Sequence, residues 1–330
     1  MSSKTKKQCR AEFKQFLKKL SIPNEEEYAT LLAEAASRNT YIETISNKAD
    51  SLHYNITKGY VEYSNEDFFE VIENKIKKLH LTFVDVVVDI TTENFYGKST
   101  GLYLHNWTGE AGVEGKFHYL VAGILFRNKI IPFYVTILRI GSFKAEYLGR
   151  ICDLCNKLHL KVRLMMLDRG FYSGEVIDEL ELNDINYLIF AKKSSLFKCM
   201  LEGTKESVIV KHEIKYKKNK SSYKADTDIA LVKNVEGYDW VFATNIFLRD
   251  ARKYVGIYRK RWNIETMFRV HDEAKIKSKS VNPLVRLFYF MVSMFLLFIW
   301  NLRSKKECPF KRFVINLEQA LKNIEICRAN

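Results

Sequence analysis

A chain of 330 residues that is 47% hydrophobic, with 22 Phe and 18 Tyr, holds enough apolar material for a large packed core, which excludes a disordered polypeptide. The formal net charge of +14 and a pI near 9.3 point to a polyanionic partner, because Lys and Arg that neutralise phosphates release counterions. Six cysteines at irregular spacing make no disulfide framework, and the first residues lack the apolar segment of a secretory signal, so a cytoplasmic, reducing location is expected.

The charge is unevenly placed. Residues 1–80 hold 13 Lys or Arg against 12 Asp or Glu, whereas residues 192–224 carry ten Lys against three Glu. Residues 252–279 carry nine basic against three acidic residues, a second cationic segment. Residues 1–80 read as a helical N-terminal domain. Phe13, Phe16, Leu17 and Leu20 share one helical face and Pro23 ends that helix. Asn24 with Glu27 predicts a capping box for a helix through Leu31 and Leu32, and Ser64 caps another that carries Phe68, Phe69, Ile72, Ile76 and Leu79. Such a domain serves either DNA binding or packing and dimerisation.

From residue 83 the pattern turns to strands: Phe83–Ile90, His118–Phe126 and Ile130–Leu138, the last two separated by the polar break Arg127-Asn128-Lys129. A helix over Lys144–Leu158, a strand over Val162–Leu167, a helix over Gly174–Leu182 and a strand over Tyr187–Ala191 follow. Three strands, then helix, strand, helix, strand is the element order of an RNase H-like mixed sheet, an order shared with other α/β topologies. The first part of that domain is placed at residues 81–195.

Residues 196–247 show short alternating runs at Val208–Tyr216, Ile229–Val232 and Trp240–Thr244, with Lys217-Lys218-Asn219-Lys220 as turn material, and read as an inserted β-rich subdomain. Residues 248–330 return to helix: a long stretch over about 249–275, then an apolar helix over 284–302 after Pro283. The apolar run Leu287–Trp300 is shorter than the roughly 20 residues of a membrane span and is expected to be a core helix.

Asp89 ends Val86-Val87-Val88 and Asp168 ends Leu164-Met165-Met166-Leu167, which places two carboxylates at the C-terminal ends of apolar strands, where open α/β sheets carry their sites. Taken singly, such an acid is more often a turn residue or a helix cap. Tyr258, Arg261 and Glu265 recur at helical spacing and align a tyrosine, an arginine and a third acid. That alignment by itself describes many solvated basic helices.

Together, Asp168-Arg169-Gly170-Phe171-Tyr172 after an apolar strand and Tyr258-x2-Arg261-x3-Glu265 resemble the DDE transposases of bacterial and archaeal insertion sequences. The group in question has a Tyr, Arg, Glu, Lys signature and a β-rich insertion between its second and third acids, and the resemblance covers about 85–300. It implies an RNase H-like catalytic domain in which Asp89, Asp168 and Glu265 are the catalytic acids and ligands of two Mg2+ or Mn2+ ions. It also implies cleavage and joining of double-stranded DNA at terminal inverted repeats and target sites, a homodimer on DNA, and no membrane partner. The enzyme would be nucleoid-associated when acting.

The implied DNA contacts are Tyr258 and Arg261 on a phosphate, Trp240 or Trp262 on an unpaired base, and Lys215, Lys217, Lys218 and Lys220 in the insertion. The signature's lysine falls on Asp272, so Lys275 or Lys277 takes its place. A catalytically silent DNA-binding derivative and an RNase H-like nuclease without strand transfer are the competing functions. Gly97-Lys98-Ser99-Thr100 lacks the first glycine of a phosphate loop, Thr92 standing there. Cys152-x2-Cys155 with His159 lies on a helical core face made with Leu148, Ile151 and Leu158 and has no second ligand pair. Asp85 is a weaker alternative first acid on the same strand face as Asp89.

Overall fold

The structure is a computed structural model that describes residues 2–58, 65–98, 101–106, 109–218, 220–303 and 308–329. Four helices come first: α1 (Ser3–Lys19), α2 (Glu25–Arg38), α3 (Lys48–Lys58) and α4 (Asn65–Lys77). Phe13, Phe16, Leu17 and Leu20 are all buried, as their spacing predicts. The capping box at Asn24 is not formed. Asn24 is left-handed with φ of 52° and its side chain makes no cap hydrogen bond, so three acids in the first turn of α2 face the helix dipole instead. The cap assigned to Ser64 lies outside the described residues.

The sheet begins with β1 (Phe83–Phe95), β2 (Leu104–Asn106), β3 (Gly115–Phe126) and β4 (Lys129–Ile137). Arg127 and Asn128 both adopt positive φ, 49° and 61°, the backbone that a two-residue hairpin turn between β3 and β4 requires. Then α5 (Lys144–Lys157), β5 (Lys161–Leu167), α6 (Gly174–Leu182) and β6 (Tyr187–Phe190) follow. Strand β1 pairs antiparallel with β3 and parallel with β5, and β5 pairs parallel with β6. The spatial order β4-β3-β1-β5-β6 is therefore mixed, with α5 and α6 as crossovers that pack on each other. Beyond them lie α7 (Ser195–Gly203), β7 (Val208–Lys218), β8 (Ser221–Val235) and β9 (Tyr238–Thr244).

Residues 196–247 hold the three strands expected of the β-rich insertion, joined to the sheet and not apart from it. They open with α7, and β9 pairs antiparallel with β6 through Leu188↔Thr244, so β9, β8 and β7 prolong the same sheet. The cause is in the side chains of β9: Val241, Phe242 and Ala243 are fully buried and need the neighbour that β6 supplies. The hairpin of β7 and β8 leans on α6, where a Cβ at Gly174 would lie 2.4 Å from the Tyr216 ring and Tyr216 donates to Asp178.

The expected helix over 249–275 is broken: α8 (Arg252–Tyr258) passes through a 3-10 turn at Arg259–Arg261 into α9 (Trp262–Asp272). The chain then forms α10 (Pro283–Arg303) and α11 (Phe310–Ala329). By length and composition α10 could cross a membrane, yet Val285–Ile299 is buried without a break inside the fold. It lies against β4, α1 and α3. Phe16 of α1 stacks on Phe295 of α10 at 4.1 Å, and α2 packs along α11, where Ser37 donates to Glu318. The N-terminal helices thus share one continuous apolar core with the sheet and the last two helices.

Candidate active site

Parallel pairing of β1 with β5 ends at Val88↔Leu167, so Asp89 and Asp168 are the next residue on each of two neighbouring strands. Asp89 is not the last residue of its strand. β1 runs on to Phe95 because β3 continues to pair with it, Asp89 itself opposite Val121. Asp168 does leave its strand, and heads the 3-10 turn Arg169–Phe171. Asp85, the alternative first acid, is spent at the far end of β1 in a two-pronged ion pair with Arg163 at 2.8 and 2.6 Å.

The third acid comes from α9. Arg261, 5% exposed, donates through Nη1 to Asp89 Oδ2 at 2.8 Å and through Nη2 to Glu265 Oε1. Its guanidinium also lies 5.3 Å from the centre of the Tyr258 ring. The 3-10 turn matters here, because it turns Arg261 inward while Glu265, one helical turn on, stays exposed at the rim. Burial pushes the Asp89 carboxyl up to about 6, with Arg261 and the Ile90 amide pulling it down and Asp168 pushing it further up. The Ile90 amide donates to Asp89 Oδ1 at 2.8 Å. Burial raises the Tyr258 phenol as well, with the Arg261 guanidinium pulling it back down.

Lys144, the first residue of α5, was not singled out by its sequence context. Its ammonium bonds the Gly170 carbonyl beside Asp168; burial lowers it, Asp168 raises it and Lys192 lowers it. A second group that sequence left unmarked lies along β1 on the Asp89 face. Glu93 pairs with Arg286 at 3.1 Å and accepts from Tyr119 at 3.0 Å, while the Arg286 guanidinium sits over Phe95 and Phe117. Arg286 is 4% exposed and falls inside an apolar helix, which is the one sequence signal for it.

Three carboxylates offer only oxygen donors, the set that a hard divalent cation prefers, so the residues present fit Mg2+ or Mn2+ by chemistry. Among the described residues no three His, Cys, Asp or Glu side chains converge as a metal cluster. The Arg261 cation stands between Asp89 and Glu265 and bonds to both.

The other expected contacts divide. Trp262 is 43% exposed beside the site, with Arg259 over its ring, whereas Trp240 is packed on Phe242 and Phe190 with its indole N–H donated to the Val235 carbonyl. Of the two tryptophans, Trp240 is half-buried and packed, and Trp262 is the one left open to solvent. Tyr258, 2% exposed, lies inside the site and packs on Phe190 and Phe242, so no DNA phosphate reaches its ring in this arrangement. Lys215, Lys217, Lys218 and Lys220 are exposed on the β7–β8 hairpin. Asp272 pairs with Lys275 at 3.1 Å, and Lys277 is held by its backbone to Thr40 and Ile42.

The fold, with Asp89 and Asp168 side by side where β1 and β5 cease to pair, is that of an RNase H-like α/β protein. Residues 145–300 match the family model described as a transposase DDE domain. The matched span takes in Asp168 and Glu265, with Asp89 upstream of it. Among solved structures it is similar to a piggyBac transposase seen by cryo-EM in a synaptic complex with hairpin DNA, at a TM-score of 0.56 and 11% identity. That likeness covers 93% of this chain and 73% of the other. No curated protein sequence matches the chain.

Proposed function

We propose that the chain cleaves and rejoins DNA at the ends of a mobile element, with Asp89, Asp168 and Glu265 as its catalytic acids. The observation that carries this is the register Val88↔Leu167, which sets two carboxylates side by side at a sheet switch point under a helix that brings a third. The transposase DDE domain match supports the same chemistry, and the piggyBac likeness supports DNA ends as substrate.

Asp89, Asp168 and Glu265 would hold divalent Mg2+ or Mn2+, in a pair of ions, whose chemistry is to polarise the phosphoryl group and activate the attacking hydroxyl. The chain's own part is electrostatic and positional. Arg261 turns its guanidinium from Glu265 to a DNA phosphate, a bidentate partner of matching geometry, and so frees the carboxylates. Lys144 places a positive charge beside Asp168 where phosphate charge gathers. In each step one oxygen attacks phosphorus, the bond from phosphorus to the departing oxygen breaks, and the attacking hydroxyl's proton is released as the leaving oxygen acquires one. Exposed Trp262 at the rim is placed to stack on an unpaired base.

Terminal inverted repeats as the recognised ends, a homodimer on DNA, and a cytoplasmic site of action at the nucleoid complete the proposal. Its test is Mg2+-dependent cleavage and strand transfer of a DNA fragment carrying the element's ends, with Asp89→Asn, Asp168→Asn and Glu265→Gln compared. Loss of at least about a thousandfold in each, with DNA binding retained, is the expected result. Wild-type binding without cleavage would instead support a silent DNA-binding derivative, and cleavage without joining a plain nuclease.

A further inference from the structure

We propose that a groove beyond the distal end of β1 is a channel for a single unpaired DNA strand, an inference that rests on the DNA-processing function above. Its volume is about 700 Å³, and it lies between the end of β1 with the residues that follow it (Thr92–Lys98), the Asn39–Tyr41 segment and residues 275–281. That size is in the range of about 300 to 1,000 Å³ that encloses one small organic ligand, so it takes a nucleotide or two of one strand and not a duplex.

The walls are fixed in place. Tyr41 and Lys277 form a parallel bridge, Ile42 donates to the Lys277 carbonyl at 3.0 Å and Lys277 donates to the Thr40 carbonyl at 3.1 Å. Glu43 accepts from Ser278 at 2.7 Å and from the Lys279 amide at 2.8 Å. Lys98, Lys277 and Lys279 have no carboxylate within ion-pair reach among the described residues, so three cations without an acid partner line the groove. The acids in its lining are already matched, Asp272 by Lys275 and Glu93 by Arg286. Tyr96, 59% exposed on the wall, is a stacking platform for a base, and Lys279 lies 5.8 Å over the ring of Tyr41. Uncompensated positive charge with an exposed aromatic face is what sequence-tolerant recognition of a single strand requires.

The groove is continuous with the active site along the strand, since Thr92 and Glu93 follow Asp89 on β1 and also line the groove. A strand lying in it would run from the reacting phosphate toward the N-terminal segment. The Lys position that the signature places at Asp272 is then served by the Lys277 side of the same groove.

The test is binding of the full chain, by fluorescence anisotropy with Ca2+ present to hold off cleavage, to an end duplex that is blunt or carries a four-nucleotide 5′ or 3′ tail. Tyr96→Ala is expected to lower affinity for one tailed DNA by about tenfold with blunt duplex unchanged, and Tyr96→Phe to restore it. Lys98→Ala with Lys279→Ala is expected to flatten the salt dependence on that tailed DNA by about 1.4 in log-log slope. Equal losses on blunt and tailed DNA, or no loss on either tailed DNA, overturn the channel. A wild-type chain that binds none of these DNAs overturns the DNA-processing function itself and the channel with it, whereas wild-type cleavage with indifferent variants removes the channel alone.

Discussion

Arg261 donates to Asp89 at 2.8 Å and in the same pose holds Glu265, so two expected metal ligands share one internal cation. Arg261→Ala removes that competing charge. Divalent-cation affinity without DNA, measured by Mn2+ electron paramagnetic resonance, should rise by about tenfold, a gain of about 1.4 kcal/mol. Unchanged affinity would show that the arginine does not guard the site. The same variant leaves Asp89 buried without its partner and should lose about 2 to 4 kcal/mol of stability in denaturant titration when no metal is present.

Lys215 and Lys217 point to one face of the β7–β8 hairpin, opposite Lys224 and Ser222, while Lys218 points to the other. If the hairpin clamps duplex DNA with that face, Lys215→Ala with Lys217→Ala should reduce the salt slope of duplex binding by about 2, and Lys218→Ala alone should leave it unchanged. Equal effects from both sets would assign the hairpin a diffuse attraction instead of a contact face.

His118 stacks on His105 at 4.0 Å, and burial, then His105, Lys144 and Lys116, lower its pKa to about 4. The folded state therefore resists protonation of a group that in an unfolded chain accepts a proton near 6.5. Between pH 6.5 and about 4 the unfolded chain binds more protons, so this group's contribution is complete above 6.5 and is lost as pH falls through that window. His118→Gln should flatten the decline of melting temperature between pH 7 and pH 5. A decline as steep as wild type would move the cause elsewhere.

Phe16→Ala cuts the stack with Phe295 that joins α1 to the core helix α10. A loss of about 3 to 5 kcal/mol is expected, as for other buried aromatics, with a single cooperative transition by tryptophan fluorescence and circular dichroism alike. Two separate transitions would show that the first 80 residues melt on their own.

Much of this architecture is legible in the sequence because period-two and helical patterns are local. The strand that ends at Leu167 and the helix Gly174–Leu182 follow directly from apolar spacing and flanking residues. Asp89 shows the limit: its strand continues to Phe95 only because β3 pairs with it, and polar Thr91, Thr92, Glu93 and Asn94 give no local sign of that partner. The expected β-rich insertion shares this cause, since pairing of β9 with β6 is a contact between Leu188 and Thr244 that spacing within either strand does not encode. At the site, the alignment of Tyr258, Arg261 and Glu265 was readable, but burial of Arg261 against Asp89 depends on a 3-10 turn that a uniform helical wheel does not contain. Trp240 and Trp262 read alike as base-stacking candidates because exposure cannot be told from composition, and the packing of Trp240 on Phe242 is what separates them.

The clasp of α1 and α2 on α10 and α11 sets a timetable for synthesis. The segment Ser3–Arg38 finds apolar partners in Pro283–Arg303 and in Phe310 onward, which are made much later. Until those residues emerge from the ribosome, Phe16 has Phe68 of α4 but not Phe295, and α2 has α1 but not α11. A nascent chain halted before α10 therefore presents a half-covered, greasy bundle to chaperones and proteases, and the sheet is finished before the roof that closes over it arrives.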